Sequence, residues 1–520
     1  MPLKPKFALH QDDELLYLKI TIPYVRASSS EVVIDGKDVS FYCKPYLLRL
    51  KLPGDVENDE HPEFRAVYDP NIGNGTITLH LPKTIKGFHF EDLDLLNTLL
   101  FDASPPTATT TPSDRPAPMG GRAKLIEVIS ESTNEDVAET ADVAIEDNDT
   151  ATWKDSSDGL PELMDCLKLI DANNSSRHPY GFNFEYSGIL GTLREEFFDL
   201  IEIPDPEGTS PELRRKLREE RETEAFDDDR FMGDFAGASE DPIFLDALAF
   251  KAPWDEAYGQ LSSTRNSEEV FAATGGFSEM DTADMASLRT RTYTHMDSTG
   301  IARMVLVTAD ILFAYCYDQR LTGGEGNVES AFNISRLSAA LSWGDVFEEG
   351  EEQNVMRAAV RRSLCYPYLR VWKLSRKVLA DVVKIMLLGK RFVVRALLDT
   401  RRVFESSEQG HYLLNKIYLN DLCAWAQGPD MEDVFKAAGR RFNSAKSSLE
   451  KGSIGFDLEV LEAAVTEALD GNETGGNVAE ASNEEDKGKK TTSPQAQATN
   501  NGELLGEVGK DSVFTILPKK

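Results

Sequence analysis

Apolar and polar residues alternate between residues 7 and 82 in seven short runs: FALH, ELLYLKITI, EVVI, DVSFYC, YLLRLKL, FRAVY and TITLHLPK. Leu16, Leu18, Ile20 and Ile22 fall on one side of the second run, opposite Tyr17, Lys19 and Thr21. Leu48, Leu50 and Leu52 stand opposite Arg49 and Lys51 in the same way. A period of two sends successive side chains to opposite faces, so these runs predict half-buried strands. Asp35-Gly36, between EVVI and KDVSFYC, predicts a two-residue type I′ hairpin turn with φ > 0 at both positions. NIGNG, at 71 to 75, predicts the turn into the last strand. Seven strands without an intervening helix predict a β-sandwich, assigned to residues 1–103.

The pattern then changes twice. ASPPTATTTPSDRPAPMGG and the acidic stretch through Thr150 are too polar to offset their ordering entropy, so residues 104–157 are expected to form a disordered linker, with KLIEVI as its one apolar patch. From about Gly159 to Leu469 the period is helical, as in SPELRRKLREERETEAF, IARMVLVTADILFAYCYDQRL and KRFVVRALLDTRRVFES. Residues 158–470 are therefore expected to form an all-α domain, and 471–520 a disordered tail holding one apolar run, VFTIL. Ser210 followed by Pro211 predicts a helix start. Pro367 should divide the long basic segment near Tyr366. The fold class expected is multidomain: an N-terminal all-β sandwich and a C-terminal all-α domain joined by a linker.

Charge narrows the functional classes. The 520 residues hold 89 acidic and 56 basic side chains, a net charge of −33, which argues against generic attraction to phosphates or an anionic membrane and favours a basic protein partner. Sixteen acidic residues lie between Glu185 and Asp234 against seven basic ones. Their plain reading is a solvated helix face, with Glu220 and Glu224 offset by Arg221 and Arg218. The sharper reading is a surface for a basic partner, with Asp199, Glu202, Asp205, Asp227, Asp228 and Asp229 as candidate contacts chosen by charge. The opposite case is Val355 to Phe404, with thirteen basic residues and two acids, a local +11 that leaves −44 on the rest. On the helix expected over LGKRFVVRALLD, Arg391, Arg395 and Asp399 share one stripe. Arg395 is expected to pair with Asp399, making the island an internal counter-charge. A nucleic-acid helix would need unpaired cations around exposed aromatics or polar base readers.

Catalytic and metal signatures fail. TGGEGN lacks the lysine and hydroxyl of a phosphate loop, no H-E-x-x-H or G-x-S-x-G occurs, and the seven histidines are scattered. EDNDTATWKD has Ala151 and Thr152 where a calcium loop needs a ligand and a glycine. Five cysteines without C-x-x-C spacing indicate neither a zinc site nor a disulfide framework. No enzyme activity, cofactor or metal is expected. The N-terminus has no signal-peptide pattern. The longest apolar helix candidate, IARMVLVTADILFAYC, is shorter than the roughly 20 apolar residues a bilayer span requires.

FEDLDL (90 to 95), YGFNFEYSG (180 to 188), ADILFAYCYDQRLTGGEGNVESAFNISRLSAALSW (309 to 343), RRSLCYPYLRVW and GKRFVVRALLD occur in an order that resembles the eukaryotic assembly chaperones of box H/ACA ribonucleoproteins, dedicated to the pseudouridine synthase dyskerin. The resemblance covers both folded domains. It makes Tyr180, Gly181, Phe182, Arg391, Arg395 and Asp399 structural family positions, and implies a CS domain, of the small-heat-shock fold, followed by a family-specific helical domain. It implies that the helical domain grips dyskerin over its RNA-binding surface as an RNA placeholder, that RuvB-like ATPases help remove it, and that the protein is a monomer of the nucleoplasm and cytoplasm without direct nucleic-acid or membrane binding. Two other readings stand beside it: a general heat-shock co-chaperone acting through the sandwich, and an RNA-binding protein using the basic island.

Overall fold

The computed structural model describes residues 3–23, 30–69, 75–100, 178–192, 200–264, 266–288 and 296–479. The linker, Asp199 and VFTIL lie outside them, as does most of the turn expected at 71 to 75. Seven strands form two antiparallel sheets: β1 (Lys6–Gln11), β2 (Leu15–Thr21), β7 (Thr76–Pro82) and β6 (Arg65–Asp69), in the order β1-β2-β7-β6, and β3 (Glu31–Asp35), β4 (Asp38–Cys43) and β5 (Tyr46–Lys51) in the order β3-β4-β5. The alternation read from the sequence sets the register. Leu16, Leu18 and Ile20 of β2 stand opposite Leu81, Leu79 and Ile77 of β7, and these six are essentially sealed from water. Each such side chain contributes at most about 1.5–3 kcal/mol by burial.

One turn differs from expectation. Asp35 pairs with Asp38, so the two loop residues are Gly36 and Lys37, and φ is positive at Gly36 alone. That is the φ pattern of a type II′ turn, in which glycine takes the first loop position.

The helices begin and end where local chemistry allows. Ser210 caps the helix Pro211–Ala225 by accepting from the Leu213 amide, with Pro211 in the first turn. The helix Glu352–Cys365 stops just before Pro367, and the next, Trp372–Leu388, starts beyond it. Gly389 then separates Trp372–Leu388 from Lys390–Glu405. Its φ is +97°, and an added Cβ would lie 2.4 Å from a Glu432 carboxylate oxygen. The space glycine leaves lets that carboxylate accept from the Lys390 amide at 2.9 Å, satisfying a first-turn donor.

Ser298–Leu321 runs through the middle of the helical core. Its 24 residues are long and apolar enough to cross a membrane, but most of that apolar surface is buried inside the protein. The shorter run read from the sequence extends here through Asp318 and Arg320, both buried. The last helix, Leu458–Ala479, continues past the boundary placed at residue 470. Sandwich and helical domain fall within one unit, Met1–Thr466.

Candidate functional site

The first turn of the helix Lys390–Glu405 is where the two domains meet. Lys390 Nζ donates to Asp92 Oδ2 at 2.6 Å. Arg391 Nε and Nη2 donate to the two oxygens of Asp94 at 2.8 and 3.0 Å, and Nη2 also reaches Asp92 Oδ1 at 3.1 Å and Glu268 Oε1 at 3.0 Å. Both cationic side chains are nearly enclosed, at 3% and 6% exposure. Asp92 and Asp94 belong to FEDLDL, at the end of the sandwich. Beside them the Asn97 amide donates to the buried Gln427 side chain at 3.1 Å. The N-terminal domain is thus docked by charge-assisted bonds, which are roughly twice as strong as neutral ones.

The expected Arg395–Asp399 pair does not form. Arg395 lies over the Phe271 ring at 4.3 Å and donates to the Gly276 carbonyl. Asp399 accepts from the Tyr315 hydroxyl at 2.8 Å and pairs with Arg402. Spacing by four permits the pair on an exposed helix. In this packed one, Phe271, Gly276 and Tyr315 from neighbouring elements, and Arg402 one turn on, supply the partners instead. Burial raises the Asp399 pKa, and Arg402 and the Tyr315 hydroxyl oppose that rise.

A second cluster takes in Arg361 and Arg362 of the island. Glu222 is fully buried and accepts from Arg218 Nη1 at 2.7 Å, Arg361 Nε at 2.7 Å and Arg362 Nη1 at 3.4 Å. Asp345 takes Arg218 Nε at 2.9 Å, and Arg215 binds both oxygens of Glu351 at 2.8 Å. Arg214 is held by carbonyls instead, those of Pro206, Thr209, His178, Pro179 and Gly344, and burial lowers its pKa. On the helix surface, Lys216 meets Glu220 and Arg221 meets Glu224. Arg218, expected to help offset those two acids, turns inward.

Tyr180, Gly181 and Phe182 anchor the entry to this region. The Tyr180 hydroxyl accepts from the Ile189 and Leu190 amides at 2.9 and 2.8 Å and donates to Glu207 at 3.1 Å. Gly181 has φ +78°, and a Cβ there would stand 2.7 Å from the Ile417 carbonyl oxygen. Phe182 packs edge-on against Trp425.

The candidate partner contacts divide. Glu202 is a correction: its side chain is 7% exposed and pairs with Arg362 and Arg336. Burial would push the Glu202 carboxyl up, but those two guanidinium groups hold it below its ordinary value. Asp205 is exposed and accepts from the Gly208 amide at 2.9 Å. Asp227 caps the helix Asp228–Gly237, with Asp228 and Asp229 exposed in its first turn, where the helix dipole favours negative charge. Asp92, Asp94 and Glu268, the partners of the opening cations, were not singled out in the sequence. Their one signal was that Asp92 and Asp94 sit in FEDLDL.

Among the described residues the buried cations are Lys83, Arg214, Arg218, Arg320, Arg361, Arg362, Arg370, Lys390 and Arg391. The buried carboxylates are equally many: Glu207, Glu222, Asp281, Asp310, Asp318, Asp345, Glu352, Asp381 and Asp421. Five of these cations, Arg361, Arg362, Arg370, Lys390 and Arg391, belong to the basic island; because burial removes equal numbers of each sign, the acid excess stays on the surface. Among the described residues no group of three or more His, Cys, Asp or Glu is arranged to hold a metal, and Cys43, Cys316, Cys365 and Cys423 are free and buried.

Two family models match the chain: a CS domain of the SHQ1-like type over residues 4–100 and the Shq1 domain over residues 266–458. The SHQ1 homolog of Mus musculus is 33% identical over 467 residues, covering 89% of this chain and 75% of the relative. Protein shq1 of Schizosaccharomyces pombe is 31% identical over 474 residues, covering 90% and 97%. The SHQ1 homolog of Xenopus tropicalis is 32% identical over 466 residues, covering 89% and 69%.

Proposed function

The chain belongs to the SHQ1 family, and from that premise we propose that it is an assembly chaperone for box H/ACA ribonucleoproteins. It binds an RNA-free, dyskerin-type pseudouridine synthase over its RNA-binding surface and keeps it soluble until guide RNA arrives. The observation that carries this reading is the charge distribution: a net charge of −33, of which burial relieves nothing among the described residues, where nine buried cations match nine buried carboxylates. An RNA-binding protein without RNA exposes a cationic surface that recruits any polyanion through counterion release. An acidic protein covering that surface blocks the recruitment while making exchangeable contacts, which set association rate and specificity more than affinity. The mechanism is occupancy and needs no covalent step.

Asp205 and the run Asp227 to Asp229, exposed in the structure, are the proposed contacts, and Asp199 remains a candidate on charge alone. The protein would work as a monomer in nucleoplasm and cytoplasm, with RuvB-like ATPases assisting its release. The test is a pull-down of the synthase from a eukaryotic extract with the full chain. Recovery of synthase free of guide RNA supports the proposal. Recovery of a stable complex holding synthase, guide RNA and this chain together refutes it.

A further inference from the structure

We infer that the junction of sandwich and helical domain is a peptide-binding cleft, taking an extended segment of a partner protein in which an aromatic or aliphatic side chain is flanked by lysine or arginine. β1 is the end strand of its sheet, and among the described strands it pairs with β2 alone. An edge strand presents unpaired backbone donors and acceptors, to which an extended segment can add as a further strand. The Gln11 side chain closes one end of that edge by bonding the Phe90 amide and carbonyl at 2.8 and 2.6 Å. Before that closure, Ala8, Leu9 and His10 are the β1 residues that border a cavity.

That stretch lines this cavity of about 390 Å³, together with Leu93, Phe271, Ala272 and Phe277. That size falls within the range of pockets that enclose small ligands, and it accommodates a large side chain. The aromatic wall is fixed: Phe271 meets Phe277 edge-on at 4.7 Å and Phe392 at 5.1 Å. A strand added to β1 would bring alternate side chains past this opening.

The charge at the mouth selects the occupant. Asp94, Glu268 and Arg391 line the cavity, and Asp92 and Lys390 extend the same cluster to three carboxylates against two cations. Asp94 and Glu268 remain 38% and 44% exposed. The cluster is one positive charge short, which a cationic residue on the bound segment supplies and an acidic one aggravates. A second copy of this chain pairing edge to edge would bring an identical acidic mouth to the same place, so the charge disfavours self-association. Neither Asp205 nor any of Asp227 to Asp229 lines this cleft, and the inference does not depend on the identity of the client.

The test uses the full-length chain and two fluorescein-labelled peptides, KVFTVK and EVFTVE, followed by fluorescence anisotropy. KVFTVK should bind saturably, with EVFTVE weaker by about tenfold or more. Ala272→Trp, which fills the cavity from an exposed position, should weaken KVFTVK by a similar factor. Glu268→Gln should narrow the difference between the two peptides, which keeps the test decisive if the tryptophan variant unfolds. Absence of saturable binding up to about 1 mM peptide overturns the inference, as does equal affinity for both peptides. Unchanged affinity in both variants, or a concentration-dependent dimer that Ala272→Trp abolishes, overturns it as well.

Discussion

Replacing Glu222 with glutamine tests whether the basic island is an internal counter-charge. The substitution keeps shape and volume but removes the one carboxylate shared by Arg218, Arg361 and Arg362, whose side chains are 2%, 3% and 0% exposed. Arg218 retains Asp345 and Arg362 retains Glu202, so the loss is one buried negative charge among three guanidinium groups. Removing one partner of a buried pair costs about 3–5 kcal/mol, because the remaining charge stays out of water. For a domain of this size each kcal/mol shifts Tm by ~2–4 °C, so the melt should move down by roughly 6–20 °C. Glu224→Gln on the same helix is the internal control. Its partner Arg221 lies at 3.3 Å, but the two side chains are 61% and 69% exposed, and such a pair is worth at most about 1 kcal/mol. Scanning calorimetry of the two variants at neutral pH should separate them clearly. Equal, small shifts would show that the cations are not held by Glu222, and the counter-charge reading would fall.

Three further perturbations probe other links. Gly181→Ala places a Cβ 2.7 Å from the Ile417 carbonyl oxygen at φ +78°. With ψ at −163° the backbone lies in a region essentially restricted to glycine, which costs another residue about 1–3 kcal/mol, so a Tm equal to that of the parent chain would contradict the account of this segment. Arg391→Ala removes the guanidinium that Asp92, Asp94 and Glu268 share. Those carboxylates can rehydrate, so docking should weaken by about 2–3 kcal/mol. Hydrogen exchange at the Asn97 amide, which donates to Gln427, should accelerate while β2 and β7 stay protected, and unchanged exchange would refute the latch. Asp310 is fully buried, and burial pushes its carboxyl up to about 6, opposed by bonds from Ser338 and Ala340. A raised carboxyl pKa means the folded state binds the proton more tightly than the unfolded chain. Asp310 therefore destabilises progressively as pH rises from about 4 to about 6. Asp310→Asn should flatten that part of a stability–pH profile measured by denaturant melts, and an unaltered profile would place the proton elsewhere.

The sandwich was legible because one-sided burial forces a period of two, and Leu16, Leu18 and Ile20 carry it without interruption. Pro367 was equally plain, since a missing N–H and a fixed φ act locally. Charge partners were not. Arg395 and Asp399 have an allowed spacing, yet each takes a partner from another element. Arg391 finds its carboxylate in Asp94, 297 positions away, and no local pattern encodes that contact. Glu202 looked like one more surface acid, although flanking Ile201 and Ile203 were a sign of partial burial. YGF was conspicuous as a motif. Its reason, a positive-φ glycine against the Ile417 carbonyl and a hydroxyl shared by two amides, needed the tertiary structure.

The central claim is that this chain and guide RNA occupy the same cationic surface of a dyskerin-type synthase. The most direct measurement is a competition titration: purified full-length chain bound to labelled synthase, displaced by box H/ACA guide RNA over a range of ionic strength. The account predicts mutually exclusive binding, with the affinity of each competitor falling as salt rises. A ternary complex in which RNA leaves the affinity of this chain unchanged would contradict it.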